Sequence, residues 1–239
     1  MPFNEDNKEL GVRYARQIAV EAIGKSGQQK IREAAVLIIG CGALGSMVAM
    51  QLAGAGIGKI GICDFDTIDI SNLQRQFFFK ETEAGQKKVE TLYSRIKELN
   101  SEVKIESFSK LITEKDCYGL FESYDFIVDA TDNPESKKMT GKVSGITKKT
   151  CCIGGVRDFG GQIMTLMPDD RRFEDYFGIV SDGGFMPCSI GGVAGPAAAF
   201  CASVQTAETI KYLTGAGKLL TGKLLIFDLL KNYFKVFEV

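Results

Sequence analysis

The sequence contains no histidine among its 239 residues. Histidine is the side chain most often used as a general base near neutral pH, and it is also the commonest metal ligand. Any catalysis by this protein must therefore use carboxylates, lysine, arginine or cysteine. The sequence also has no C-x-x-C pair, and its two neighbouring cysteines, Cys151 and Cys152, are directly adjacent, which is not a spacing for metal ligands. We therefore expect no zinc site.

An excess of charge of one sign is absent as well. The chain has 29 lysine and arginine residues against 30 aspartate and glutamate residues, so no overall field favours nucleic acid or an anionic membrane. The longest run of small and apolar residues, 189–204, contains three glycines and a proline and is too short to span a membrane. The N-terminus is polar and acidic, unlike a signal peptide, and the seven scattered cysteines do not form a disulfide framework. We expect a cytoplasmic protein that binds neither nucleic acid nor membranes.

A glycine motif lies at the centre of the sequence. A short apolar run, 36–39, is typical of a strand buried on both faces of a parallel sheet, and it leads directly into the spacing G-x-G-x-x-G. After a helix-like segment, a second strand, 60–63, ends at Asp64, about 20 residues past the glycines. This pattern predicts a nucleotide site with phosphates at a helix N-terminus and Asp64 on the ribose. The residues of the turn expected to contact the nucleotide are Gly40, Gly42, Ala43 and Gly45.

The segment that follows the second strand favours phosphorus chemistry over hydride transfer. The glycine spacing alone is most often found in NAD-dependent dehydrogenases. A dehydrogenase, however, does not need carboxylates, amides and a guanidinium crowded beside its ribose site, whereas a bound triphosphate and its metal would use them. The polar residues of this segment are Asp64, Asp66, Asp69, Asn72, Gln74, Arg75 and Gln76.

A second polar group follows the apolar run 126–128. Asp129, Asp132 and Asn133 come where that strand is expected to end, and ligands of open α/β sheets bind outside the carboxyl ends of the strands. These side chains are therefore candidates for a metal or nucleotide site. One of the acidic residues could instead cap the helix that starts at Pro134.

The order of strands and helices predicts an α/β fold, with a Rossmann-like, mainly parallel sheet flanked by helices and antiparallel strands at the C-terminus. We expect one domain, 1–239. It should begin with a loose lead-in over 1–12, followed by one or two short helices in 13–33 that break near the glycines at 24 and 27. The other elements considered below are a helix over 82–99, a long loop over about 168–188, and a hairpin of strands 224–227 and 233–237.

Five short motifs resemble the ThiF/MoeB/HesA family, the bacterial relatives of the ubiquitin-activating enzymes. The likeness extends from about Arg13 to the C-terminus, and NLQRQ is its most specific element. The motifs are RYARQI at 13–18, GCGALGS at 40–46, DFDTIDISNLQRQ at 64–76, AGQKKVE at 84–90 and DATDN at 129–133.

This resemblance implies an adenylyltransferase that uses ATP and Mg²⁺. The family's substrate is the C-terminal Gly-Gly of a small ubiquitin-like sulfur-carrier protein, whose activated carboxylate then receives sulfur for thiamine, molybdopterin or related pathways. The resemblance divides the chain into the N-terminal helices, an ATP-binding half over 34–155 and a carrier-binding half over 156–239 that includes the long loop. It also implies a homodimer, because an arginine of each subunit would reach the partner's nucleotide.

The resemblance also implies roles for individual residues. Arg75 and Lys88 would contact the triphosphate, Asp132 would hold Mg²⁺, and Arg16 would act on the partner's nucleotide. Cys188 matches a cysteine that several members use, or are proposed to use, in covalent sulfur or thioester chemistry, although a structural thiol is the alternative. The residues implied to bind ATP are Gly40, Gly42, Ala43, Gly45, Asp64, Asp66, Asn72, Arg75, Gln76, Lys88, Asp132 and Asn133.

Two other functions remain open at this point. One is an NAD-dependent oxidoreductase, which the glycine motif alone would favour. The other is a non-catalytic nucleotide-binding partner subunit, because many family members carry two zinc-binding C-x-x-C pairs that this chain lacks. The presence of all four charged positions implied in catalysis argues for an active enzyme. They are Arg16, Arg75, Lys88 and Asp132.

Overall fold

The computed structural model describes residues 6–168 and 191–239, and the side chains of 12–168 and 191–239. Its frame is one mixed sheet, in which β1 to β5 are parallel and β6, β7 and β8 are antiparallel. The strands are β1 (Ala35–Ile39), β2 (Lys59–Cys63), β3 (Lys104–Phe108), β4 (Phe126–Asp129), β5 (Thr150–Arg157), β6 (Gly160–Leu166), β7 (Lys223–Asp228) and β8 (Tyr233–Glu238). Their spatial order is β3-β2-β1-β4-β5-β6-β7-β8. The predicted fold class and the C-terminal hairpin are both confirmed.

Helices cover both faces of this sheet, and none in the described ranges is long and apolar enough to cross a membrane. The helices are α1 (Asp6–Ile18), α2 (Gly24–Glu33), α3 (Ala43–Ala55), α4 (Lys88–Leu99), α5 (Glu114–Glu122), α6 (Pro134–Ile146) and α7 (Gly195–Thr214), with 3₁₀ turns at Ile70–Asn72 and Glu81–Glu83.

Two hydrophobic clusters sandwich the central strands. In β1, Val36 and Ile38 face the cluster formed with α3, α4 and α7, whereas Leu37 and Ile39 face the cluster formed with α5 and α6. Because a strand alternates its side chains between faces, a strand covered on both sides must be apolar at every position. This explains why the run before the glycines is continuously hydrophobic, and it buries β1 in the middle of the molecule.

The N-terminal region differs from the prediction. Helix α1 begins at Asp6, within the expected lead-in, and the chain turns at 19–23, ahead of the glycines that were expected to break the helix. Gly24 opens α2 with a φ of 57°, a left-handed conformation that glycine adopts easily. The buried Tyr14 anchors α1, since its hydroxyl accepts a 2.8 Å hydrogen bond from Asn100 Nδ2. Such a contact between distant segments does not show in the spacing of apolar residues.

The helix predicted over 82–99 is shorter than expected. The chain first forms the 3₁₀ turn Glu81–Glu83, and Gly85 then reverses it with a φ of 86°. Lys88 is consequently the first residue of α4, at the carboxyl edge of the sheet where the glycine motif also lies. The break in the helix thus brings Lys88 to the candidate site.

Candidate functional site

A cleft of about 500 Å³ opens at the carboxyl ends of β1, β2 and β4. The order of the strands reverses between β1 and β4, and ligands of open α/β sheets bind at such a reversal. The volume lies within the range of small-molecule and cofactor sites. The predicted ATP-binding residues that line the cleft are Gly40, Gly42, Ala43, Asp64, Asp66, Asn72, Arg75, Gln76, Lys88, Asp132 and Asn133.

The three glycines of the motif have different roles. Gly40 has a φ of 91°, and a Cβ there would lie 2.8 Å from the carbonyl oxygen of Ala130. A Cβ at Gly45 would lie 1.8 Å from the carbonyl oxygen of Gly40, so this glycine lets α3 pack against the turn and does not line the cleft. At Gly42 the nearest atom to a Cβ would be Nε2 of Gln76, at 3.5 Å. Gly42 therefore leaves room in the cleft, whereas the other two shape the backbone.

The N-terminus of α3 forms an anion-binding feature. Gly42 is its N-cap residue and provides no side-chain cap, and the first turn carries no acidic residue. The first N–H groups of a helix have no partner within the helix and carry its partial positive charge. Nearby, the 5% exposed Gln76 has a buried Oε1 with no hydrogen-bond partner among the described residues. The helix N-terminus suits an anionic group, whereas the Gln76 oxygen is an acceptor and suits a hydrogen-bond donor.

Asp64 connects the glycine turn to the end of β2. Its Oδ2 accepts a 2.6 Å hydrogen bond from the Cys41 amide, and its Oδ1 accepts a 2.8 Å bond from the Asp66 amide. These bonds fix the carboxylate at the cleft, and a carboxylate oxygen can accept a second hydrogen bond. The position expected from the sequence for a ribose contact is therefore rigid and accessible.

Three basic side chains line the cleft, those of Arg75, Lys88 and Lys110, and Lys110 forms a 2.5 Å ion pair with Asp116. Lys88 is 4% exposed, and its Nζ lies 3.0 Å from Oδ2 of Asp66. The Arg75 guanidinium donates from Nη1 to the Ser71 carbonyl oxygen at 3.3 Å. The neighbouring Lys87 donates to the Phe65 carbonyl oxygen at 3.0 Å and lies outside the lining.

The acidic residues after β4 occupy different environments. Asp129 is fully buried, whereas Asp132 is exposed and lines the cleft. Asn133 is the N-cap of α6, because its Oδ1 accepts a 2.8 Å bond from the Ser136 amide. The capping role considered for an aspartate thus belongs to Asn133, and Asp132 remains directed to the site.

One predicted catalytic residue lies elsewhere. Arg16 is exposed in the last turn of α1 and is not in the lining of the cleft. Helix α1 packs at the opposite edge of the sheet, where Tyr14 contacts Asn100, just before β3. The chain therefore does not bring Arg16 to its own cleft. Cys188 and all but the first residue of the predicted loop lie outside the described residues.

The cysteines of the described residues are all buried. Burial raises the pKa of the Cys151 thiol to about 12, and burial followed by the charge of Asp64 raises the pKa of the Cys41 thiol well above its usual value. A thiol that stays protonated is a poor nucleophile. Their burial makes them structural thiols of the core. Among the described residues, no group of three or more acidic or cysteine side chains could hold a metal ion, and the absence of zinc stays a prediction.

Several lining residues were not found from the sequence. They come from two loops, from α6, from the end of β5 and from the chain before α7. Their apolar or small side chains carry no chemical signal. Their positions follow only from tertiary packing. They are Phe65, Leu111, Ile112, Met139, Val156 and Gly191 to Val193.

Known proteins are similar in sequence to this chain over most of its length. The chain is 32% identical over 228 residues to a probable molybdopterin-synthase adenylyltransferase from Gracilaria tenuistipitata var. liui, which covers 95% of this chain and 64% of the relative. It is 35% identical over 237 residues to the adenylyltransferase and sulfurtransferase MOCS3 from Aedes aegypti, which covers 95% of this chain but only 52% of the relative. A sulfur carrier protein adenylyltransferase from Thermus thermophilus is 30% identical over 239 residues, covering 97% of this chain and 88% of the relative. This chain therefore spans about half to two thirds of the length of the first two relatives.

Solved structures share the fold. Escherichia coli MccB, crystallised with ATP, aligns with a TM-score of 0.82 at 23% identity, covering 95% of this chain and 71% of the MccB chain. The ThiF family matches residues 14–239, which agrees with the resemblance carried by the five motifs. The site at the β1–β4 reversal, the relatives and the family match lead to one conclusion: the chain belongs to the ThiF family.

Proposed function

We propose that this protein uses ATP to adenylate the C-terminal glycine carboxylate of a small ubiquitin-like sulfur-carrier protein that ends in Gly-Gly. The observation that carries this proposal is the composition of the cleft. An uncapped helix N-terminus lies in the same cleft as Lys88, Arg75 and Asp132, which suits a triphosphate with its counter-ion. The relatives named as molybdopterin-synthase or sulfur carrier protein adenylyltransferases support the reaction and the class of substrate.

In this proposal ATP lies across the glycine turn. Its phosphates accept hydrogen bonds from the first N–H groups of α3 and face the Lys88 and Arg75 cations, and its ribose donates to Asp64. The base then extends towards the apolar part of the cleft, which includes Leu111 and Met139. This orientation leaves the α-phosphate open to the second half of the chain, which contributes Gly191 to Val193.

The residues present also fit a magnesium ion. Mg²⁺ typically takes one or two carboxylates and completes its coordination with phosphate oxygens and water. Asp132 is an exposed carboxylate in the lining, while Asp129 is buried away from solvent. Asp132 would thus hold the ion, which when bound would neutralise charge on the phosphates.

The reaction needs no general base. The glycine carboxylate of the carrier is ionised near pH 7, so it attacks the α-phosphorus directly. A carboxylate oxygen–phosphorus bond forms, the bond between the α-phosphorus and the bridging oxygen breaks, and pyrophosphate leaves with the electron pair. Lys88 and Arg75 would stabilise the developing charge, so positioning and electrostatics supply the catalysis. The lack of histidine is no obstacle to this chemistry.

The proposal includes a homodimer. Arg16 lies on α1, at the edge of the sheet opposite to the cleft, so a role on the nucleotide would have to be on that of a partner subunit. A two-fold dimer would then complete two sites. We place the carrier-binding half at 156–239 and the reaction in the cytoplasm; the adenylation itself does not require Cys188.

Exchange of labelled pyrophosphate into ATP tests the proposal. With Mg²⁺ and a panel of small proteins ending in Gly-Gly, we expect exchange that depends on one carrier and is lost in Arg75→Ala, because the guanidinium faces the phosphates. The fold should be unaffected, since the Arg75 side chain makes one long hydrogen bond to the residues that the structure describes. ATP binding without exchange for any carrier would instead indicate another carboxylate substrate or a non-catalytic partner subunit. Unchanged turnover in Arg75→Ala would remove this residue from the mechanism.

A further inference from the structure

A buried ion pair lies directly behind the cleft. The side chains of Lys137, on α6, and Asp129, at the end of β4, are 2% and 0% exposed, and Nζ lies 3.1 Å from Oδ1. Nζ also donates to the carbonyl oxygens of Thr131, at 2.6 Å, and Gly154, at 2.7 Å. An ammonium group has three N–H donors. All three are therefore used, on two acceptors at the end of β4, from Asp129 and Thr131, and on one in β5, from Gly154.

These bonds hold the residue that precedes Asp132. The Thr131 amide and hydroxyl both donate to Oδ1 of Asp129, at 3.1 and 2.7 Å, while the Thr131 carbonyl accepts from Lys137. The peptide that leads into Asp132 is thus fixed from both sides. A carboxylate on an exposed loop needs such support to stay in one orientation toward a ligand.

The strands and the helix packed behind this pair are held in place as well. Gln205 of α7 donates from Nε2 to the backbone oxygen of Asp129 at 2.8 Å. A Cβ at Gly154 would lie 2.7 Å from the Gln205 side chain, so β5 and α7 are in close contact behind the lysine. The acceptors of Lys137 are consequently held by the packing of β4, β5 and α7.

Stability alone is a weak reason for such a pair. Burying two charges carries a desolvation penalty that their attraction often only just offsets, and apolar replacements of both partners are frequently as stable. Two of the three Lys137 bonds go to backbone carbonyls, one of them beside Asp132. The arrangement fits a lysine that holds the loop of Thr131 and Asp132 in place.

We propose that Lys137 is a positioning residue that holds the Thr131–Asp132 peptide so that the Asp132 carboxylate is oriented for magnesium-bound ATP. This rests on the proposed function for the identity of the ligand. The claim that Lys137 holds the loop concerns the protein alone and can be tested without any ligand.

Amide hydrogen exchange in the ligand-free protein is the first test. We expect Lys137→Met to accelerate exchange of the Thr131 amide relative to the amides of β1. Because Lys137→Met leaves Asp129 buried without its cation, the double variant Asp129→Asn/Lys137→Met, which removes both charges, carries the test if the single variant does not fold. It is compared with Asp129→Asn alone, since Oδ1 of Asp129 is the acceptor of the Thr131 amide. Thr131 exchange, relative to that of β1, that is no faster in the double variant than in Asp129→Asn would overturn the proposal.

Two variants of α6 serve as controls. Val143→Ala opens a cavity in the buried face of the helix, and Lys142→Met breaks the exposed 2.8 Å pair between Lys142 and Glu114. Neither touches the loop, so the exchange of Thr131 relative to β1 should not change. Val143→Ala should lose stability through its cavity, so it separates a positioning effect from a general loss of stability.

Calorimetric titration with nucleotide tests the functional consequence. We expect the Kd for ATP with Mg²⁺ to rise about tenfold or more in the double variant, the size typical of losing the support of a metal ligand. The Kd for ATP with a chelator should change by less than about twofold, since Asp132 then has no metal to bind. Equal weakening with and without Mg²⁺ would contradict the proposal. If the unmodified protein binds no ATP, the proposed function fails, and Thr131 exchange alone decides the role of Lys137.

Discussion

Alanine substitutions at Gly42 and Gly45 add the same methyl group at two points of one turn. We expect the change at Gly45 to reduce stability and the change at Gly42 to weaken ATP binding. At Gly45 the new Cβ would lie 1.8 Å from the Gly40 carbonyl oxygen. That contact is impossible without moving α3 away from the turn. At Gly42 the closest atom would be Nε2 of Gln76, at 3.5 Å, which is an ordinary contact.

The two effects can be estimated. Overpacking typically costs about 1–3 kcal/mol, and the backbone clash at Gly45 places Gly45→Ala at or above the upper end. A loss of about 3 kcal/mol corresponds to a decrease in Tm of about 6–12 °C for a chain of this size. Gly42→Ala should stay within about 1 kcal/mol of the unmodified protein. Its methyl group would stand between the helix N-terminus and the phosphates, and one misplaced methyl group in a site costs affinity by about tenfold or more.

Urea denaturation and ATP titration measure these two quantities separately. We expect Gly45→Ala to lose stability, and Gly42→Ala to keep its stability while binding ATP less tightly. The reasoning about the turn would be refuted by a Gly45→Ala protein as stable as the original. It would also be refuted by a Gly42→Ala protein that binds ATP with unchanged affinity.

Two further predictions concern the described cysteines and the N-terminal helix. The six cysteines of the described residues are buried, and burial raises the pKa of thiols such as Cys151. At pH 8, iodoacetamide should therefore label them only as fast as the protein unfolds. Rapid labelling of any of them in the native protein, mapped by mass spectrometry, would contradict this. Tyr14→Phe leaves one N–H of the buried Asn100 amide without its acceptor, which should cost about 1–3 kcal/mol of unfolding free energy. The matched control is Arg13→Ala, which removes an exposed side chain and should change the unfolding free energy by no more than about 0.5 kcal/mol. Equal effects of the two variants in urea denaturation would mean that Tyr14 does not anchor α1.

Much of the candidate site could be predicted from three short stretches, which follow the ends of β1, β2 and β4. They carry the glycine spacing, the polar run from Asp64 to Gln76, and Asp132 with Asn133. Because the carboxyl ends of parallel strands meet at one edge of a sheet, local patterns were sufficient to bring these residues together. The apolar runs likewise predicted the fold class, since a strand covered on both faces has to be hydrophobic throughout.

Features that depend on contacts between distant segments could not be predicted in this way. Lys137 reads as an ordinary helical lysine, and only the packing of α6 against β4 and β5 buries its ammonium on three acceptors. The sequence of α1 likewise shows neither that Tyr14 anchors it nor that Arg16 lies at the edge away from the cleft. The sequence by itself determined the strand ends and the chemistry placed on them, because turns, glycine conformations and helix starts depend on neighbouring residues. The tertiary structure decided which polar groups are buried and which segments hold them, because burial depends on residues far apart in the chain.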